Sequence, residues 1–322
     1  MAIFVLRRLA ISVVLLAVVS VLIFVILRVL PGDPTITMLG GAQGADPAQL
    51  ALIRRELGLD EPVYQQYLHW IGGLLHGDLG ASYFSQTSVS SLVSARIGPT
   101  LELTLVAIVV AVLISVPLAV LAAWRPGSLI DKAVSAFTTT TMAVPPFIVA
   151  IILVVVFAVE LHVLPSRGYV PFGTNPVANI RVITLPGLTM ALAAAAPMLR
   201  FLRASLAEVS ASGYLRTAEG KGLGWGRALV RHALPNALLP TLTVVGMTVG
   251  QLLGGVVVIE YIFGWPGLGS MIVNSVLKRD YAVLQTSVLF AAGAFVLTAL
   301  VVDILYGAID PRLRVRRKAE TR

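Results

Sequence analysis

The chain has 322 residues, 57% of them hydrophobic and 12% charged, with a net charge of +8 and a mean hydropathy of +0.90. Charged residues make up about a quarter of an ordinary soluble domain, so this chain cannot clothe a globular surface with charge, and lipid is its natural solvent. The absence of cysteine excludes disulfides, thiolate nucleophiles and Cys-type metal sites. The four histidines, His69, His76, His162 and His232, are scattered without metal-site spacing.

A bilayer crossing needs about 20 mostly apolar residues. Six uncharged runs are read as spans: residues 9–27, 103–124, 133–159, 182–199, 233–259 and 281–302. The first follows Arg7-Arg8, but it is longer than the apolar part of a signal peptide, about 7–15 residues. No small-residue cleavage site follows it, so it is read as a retained helix. Residues 31–99 form a sizeable external region, with amphipathic helices over 48–57 and 64–75 closed by Gly58 and Gly77.

The third span contains Pro145-Pro146 and the hydroxyl-rich run 135–141. Hydroxyls in membrane helices readily bond their own backbone, so helix packing is the preferred reading of that run over pathway lining. Pro186 and Pro197 interrupt the fourth span, which neighbouring helices can accommodate. In the fifth, Gly246, Gly250, Gly254 and Gly255 allow close helix contact, and the Gly250 to Gly254 spacing suits tight packing. Glu102, Glu160, Glu260 and Asp303 mark span ends within reach of water, with Asp303 a candidate polar contact inside the bundle.

Orientation follows from Lys and Arg placement. With the N-terminus inside, 16 of the 24 positive residues are cytoplasmic and eight are external, four of these on or near the long first loop. Both termini and the segment 206–236 are therefore expected in the cytoplasm. This sidedness accounts for the positive charge without nucleic acid, and the basic tail 310–322 is read as drawn to anionic lipid. The domain reading is 1–30 for the N-terminus and first helix, 31–99 for the external region, 100–309 for a five-helix core and 310–322 for the tail.

The segment from Tyr214 to Asn236 is basic, glycine-rich and set between two apolar runs. It predicts a helix over 214–221, a stop at Gly222 and Gly224, and a second helix over 225–234 that Pro235-Asn236 breaks before the fifth span. A short helix lying across the inner face suits a groove on a partner, and its motion would pass directly into the fifth span.

The order Arg216-Thr217-Ala218, three residues, Gly222, nine residues, His232-Ala233-Leu234-Pro235 resembles the coupling motif of binding-protein-dependent ABC importer permeases. That motif reads Glu-Ala-Ala, three residues, Gly, nine residues, Ile-x-Leu-Pro. The departures at Arg216, Thr217 and His232 look like the peptide branch of the family, as do Lys221, Leu223, Arg231 and Asn236. So do Pro31-Gly-Asp-Pro34, Leu57-Gly-Leu-Asp60-x-Pro62, Gln66-Tyr67, Gly77-Asp-Leu-Gly80-x-Ser82 and Thr100-Leu-Glu-Leu103. Glu260-x-Ile-Phe263, Pro266-Gly-Leu-Gly269, Asp280-Tyr281 and Asp303-x-x-Tyr306-x-x-x-Asp310-Pro-Arg312 complete the series. The chain resembles the first of two paired permease subunits of a dipeptide, oligopeptide or nickel importer.

The resemblance implies an all-α membrane protein with the type I importer permease fold and six transmembrane helices. It also implies a place in a bacterial or archaeal cytoplasmic membrane. Its partners would be a second homologous permease, two ATP-binding subunits docking on Tyr214 and the motif residues, and an external solute-binding protein. ATP and Mg would sit on the ATPases, with no cofactor on this chain, and no GxxxxGK[ST] phosphate loop occurs here. The turn bearing Phe263, Pro266, Gly267, Leu268 and Gly269 is a candidate contact for the binding protein, weighed equally against a plain tight turn. Gly250 and Gly254 are candidates for packing against the second permease. Peptides are the expected cargo; nickel chelates, glutathione or other small solutes are the alternative. An intramembrane enzyme is disfavoured, because no His or Lys lies centrally in a span.

Overall fold

The computed structural model describes residues 2–29, 34–38 and 46–309. The Pro31-Gly-Asp33 part of the first external motif, the Asp310-Pro-Arg312 motif and the basic tail 310–322 lie outside them. So do the side chains of Arg216, Gly254, Asp303 and Tyr306. Among the described residues the regular structure is helical, with one isolated bridge between Ala81 and Ser88.

The helices in chain order are α1 (Ala2–Val29), α2 (Pro34–Met38), α3 (Pro47–Glu56), α4 (Val63–Leu75), α5 (Val89–Trp124), α6 (Leu129–Ala143) and α7 (Pro146–Leu153). They continue with α8 (Pro176–Ser210), α9 (Gly213–Gly220), α10 (Trp225–Ala228), α11 (Leu234–Phe263), α12 (Leu268–Lys278) and α13 (Tyr281–Ile309). Wider π turns extend α7 over Val154–Glu160 and α10 over Leu229–Ala233. Helices α3 and α4 occupy the two amphipathic stretches of the external region. Asp46 starts α3 by accepting from the Ala48 amide at 3.0 Å.

Five helices are long and apolar enough to cross a membrane, and up to seven spans result if two broken pairs each count as one. The third expected span is such a pair: α6 and the helix Pro146–Glu160 meet at 104°. Pro145 and Pro146 cause the break, because neither supplies an amide to the preceding turn. The fourth is continuous, with Pro186 and Pro197 inside one 35-residue helix.

The chain divides into two compact units. The first comprises Met1–Thr100 and Pro266–Ala294. Here Phe24 of α1 meets Tyr67 edge-on at 5.2 Å and stacks on Trp70 at 6.1 Å. Ser82 donates to the Asp280 carboxylate at 2.6 Å, and the Val283 amide bonds the same carboxylate at 3.4 Å, so Asp280 caps α13. Thr100 Oγ1 accepts from the Leu268 amide at 2.8 Å. The motifs around Ser82, Thr100, Leu268 and Asp280 thus meet in pairs as structural joints. Tyr83, outside the spans, has its phenol pushed up by burial.

The second unit comprises Leu101–Trp265 and Phe295–Arg322. Its centre is α8, buried from Ile183 to Leu206 at most inward positions and packed against α6, α7 and α11. Small residues make the close approaches: a Cβ on Gly187 would lie 2.9 Å from Val106, and one on Gly250 2.9 Å from the Phe295 ring. Gly250 therefore packs on the chain's own last helix. Glu260 is fully buried and does not mark a water boundary. Glu102 is half-buried and accepts from buried Asn179 at 2.6 Å. Among long apolar side chains on α1, many stay exposed, including Leu6, Val13 and Ile26, as a lipid-facing helix requires.

Candidate functional site

The residues 213–236 form one element of the second unit, with a buried side and an exposed side. Leu215, the apolar anchor of α9, is 0% exposed. It joins Leu199, Leu202 and Leu206 of α8 and Ala228 and Leu229 of the returning helix in one hydrophobic cluster. An eight-residue helix is too short to hold its shape unaided, so this burial is what orders α9.

The end of α9 explains the motif spacing. Gly222 has φ +84°, the left-handed conformation that costs an L side chain about 1–2 kcal/mol. The Leu223 amide bonds back to the Ala218 carbonyl at 3.2 Å, and Lys221 to Thr217 at 3.1 Å. This is a Schellman ending, in which the glycine follows four residues after the accepting carbonyl. Ala218, three residues and Gly222 are that geometry written in sequence.

The return path is held at both ends. Trp225 Nε1 donates to the Trp124 carbonyl at 3.0 Å, and Gly226 lies so close to the Trp124 ring that a Cβ there would be 2.4 Å from it. At the other end, Asn236 Nδ2 donates to the His232 carbonyl at 2.7 Å and to the Tyr214 hydroxyl at 3.2 Å. Asn236 thereby ties the start of α9 to the start of α11.

Pro235 does not break the path into the fifth span. It lies inside a helical path that runs unbroken from Trp225, so its missing amide and its ring need local accommodation. The π turn Leu229–Ala233 precedes it and gives room for a ring that would otherwise clash with the carbonyl one turn earlier. The expected separate helix over 225–234 is therefore continuous with α11.

The exposed side carries Tyr214, Thr217, Lys221, Gly222, Arg231, His232, Pro235 and Asn236, while Ala218, Leu223 and Leu234 are half-buried. Sequence reasoning missed Leu215, Trp124 and Trp225. An apolar residue in a polar helix and a Trp pair at its flanks were the available signals.

The turn at Phe263 is different. Phe263 is 2% exposed in the second unit's core. Leu268 is 7% exposed in the first unit's core, and Gly267 and Gly269 are buried with it. Only Pro266 of the five is half-open, so burial favours the plain tight turn of the two equally weighed readings.

A second feature of this unit is a pocket of about 440 Å³ lined by Ser135, Thr138, Thr139, Met142, Arg200 and Arg203. Thr138 and Thr139 bond their own backbone at 2.7 and 3.0 Å. Arg203 is held by Asp131 at 2.7 Å. The hydroxyl run thus both packs and borders a basic pocket.

Comparison with known proteins matches two family models. Residues 115–315 match the binding-protein-dependent transport system inner membrane component, and residues 1–104 match its N-terminal companion. A probable peptide ABC transporter permease of Sinorhizobium fredii is 38% identical over 314 residues, 98% of this chain and 100% of that one. A glutathione transport system permease of Escherichia coli is 38% identical over 97% of this chain and 99% of its own. Among solved structures, the MetNI methionine ABC transporter in inward-facing conformations matches with TM-score 0.57 at 19% identity. The match covers 68% of this chain and 96% of that one, and it shows the shared fold.

Proposed function

The chain belongs to the family of binding-protein-dependent transport system inner membrane components and is a transport permease subunit, not an enzyme; from that premise we propose that it carries di- or oligopeptides inward across a bacterial or archaeal cytoplasmic membrane. It works beside a second homologous permease. Two ATP-binding subunits dock on the exposed side of residues 213–236, and an external solute-binding protein delivers cargo. ATP and Mg belong to the ATPases. Both termini and the loop face the cytoplasm, in keeping with the Lys and Arg bias.

One observation carries the coupling role: α9 is exposed on its motif face and anchored by Leu215 into the cluster that holds α5, α8 and α11. A push on α9 reaches three long helices through packed side chains and reaches α11 also through the Asn236 bonds. Such contiguous packing transmits displacement because cores deform little. Alternating access then follows from a shift between two helix arrangements.

The test is ATP-driven uptake of a labelled dipeptide into vesicles holding the whole transporter, with Lys221→Glu and Ala218→Arg. Both variants should assemble in the membrane yet lose ATPase co-purification and uptake. Full uptake in both would remove the docking claim. Uptake of glutathione in preference to a dipeptide would move the cargo to the relatives of that name.

A further inference from the structure

The basic pocket of about 440 Å³ in the second unit has no part in the coupling role. Its lining is Ser135, Thr138, Thr139 and Met142 of α6 with Arg200 and Arg203 of α8. Its size lies within the roughly 300–1,000 Å³ of small-ligand sites. Ser135, Thr139 and Met142 recur at helical spacing on one side of α6. All the α6 residues of the lining lie inside the apolar run 133–159, and Arg200 closes the run 182–199. Charged and polar groups in membrane spans face the bundle interior or water rather than acyl chains, and they mark pathways.

The lining selects an anion. It holds two guanidinium groups and no carboxylate. Outside the lining, Asp131 accepts from Arg203 Nε at 2.7 Å and from the Gly127 amide at 2.9 Å. Each of its oxygens is engaged, and its single charge offsets one arginine. Arg200 is exposed and has no carboxylate partner among the described residues. Lys132, one turn before Ser135, is exposed and adds positive charge. Arg200 and Arg203, one turn apart on α8, repel each other, and an anion between them relieves that cost. Thr138 and Thr139 donate to the Val134 and Ser135 carbonyls, which leaves the guanidinium N–H groups as the strongest donors of the lining. An open guanidinium fork matches the two coplanar oxygens of a carboxylate. Met142 adds an adaptable apolar wall.

We propose that this pocket receives the terminal carboxylate of a peptide on its inward route, with Arg200 as its open partner and Arg203, set by Asp131, as the second. The inference rests on the importer reading above and adds to it a contact for the cargo within the permease. The phosphate of an anionic lipid carries the same charge. The hydroxyl stripe beside the arginines speaks against that source, because lipid-facing positions of a span are apolar.

The chain has no cysteine, so Met142→Cys places a single reporter thiol in the pocket, with Thr139→Cys in its place if that variant fails to assemble. The assembled transporter, in phosphatidylcholine nanodiscs without its binding protein or ATP, is treated with an anionic and a cationic methanethiosulfonate. Modification of this chain is followed by mass spectrometry, each rate being normalised to a free thiol. The anionic reagent should react faster. Adding Arg200→Gln should cut that preference about tenfold, the lower end of charge focusing in a cleft, while Arg200→Lys keeps most of it. Saturating dialanine should slow the reaction, and alanyl-alaninamide, which lacks the carboxylate, should not. Protection by S-methylglutathione but not dialanine would uphold the carboxylate site and move the cargo, so the two readings fail separately. Three results overturn the proposal: a thiol that neither reagent reaches, equal rates for the two reagents, or protection by added phosphatidylglycerol with none from either peptide. The last would assign the pocket to a lipid headgroup.

Discussion

Replacing Leu215 by Ala should undock α9 without unfolding the protein. Leu215 is fully buried among Leu199, Leu202, Leu206 and Leu229, and deleting such a side chain costs about 2–5 kcal/mol through lost transfer energy and a residual cavity. The eight residues of α9 have little helical stability of their own, so the loss falls on the docking equilibrium. At about 1.4 kcal/mol per tenfold, even 2 kcal/mol raises the undocked population roughly 30-fold. Hydrogen exchange followed by mass spectrometry would show amides of 215–223 exchanging at least about 30-fold faster, while α8 stays protected. Coupled uptake would fall in parallel. Thr217→Ala, at an exposed position on the same helix, serves as the control and should stay within about 0.5 kcal/mol. Unchanged exchange in the Leu215 variant would refute the anchoring argument, and equal acceleration through α8 would show that the element is no separate unit.

Gly222→Ala meets no clash, since no atom lies within 4 Å of a Cβ there. Its cost is purely conformational, about 1–2 kcal/mol, with Gly222→Asn milder; exchange at the Leu223 amide reads it. Gly250→Ala drives a methyl to 2.9 Å from the Phe295 ring and should lower stability by about 1–3 kcal/mol, with recovery in the Gly250→Ala, Phe295→Leu double variant measured by thermal melting. Asp280→Ala removes the bond from Ser82 and the cap of α13, costing about 1–3 kcal/mol. A double-mutant cycle with Ser82→Ala should show strong non-additivity, and additive losses would separate the two motifs.

The helical spans were legible because bilayer crossings need long uncharged runs, a signal carried by neighbouring residues alone. The stops at Gly58, Gly77 and Gly222 were legible for the same local reason, and each has positive φ. The spacing from Ala218 to Gly222 was readable as a motif, and its Schellman geometry shows why the interval is that length. Pro235 misled, since proline commonly breaks a helix interior, and only the π turn ahead of it shows how the path stays continuous.

What the sequence by itself determined was therefore the solvent, the helices and the family, all of which rest on local pattern and ordered motifs. What only the tertiary structure decided was which side of each element is covered. Glu260, Phe263, Gly267, Leu268 and Gly269 looked like surface features and are buried. Leu215 looked incidental and orders α9. Ser82 and Asp280 are 198 residues apart and share one hydrogen bond. Burial and pairing of this kind depend on contacts distant in the chain, which no local window of residues contains.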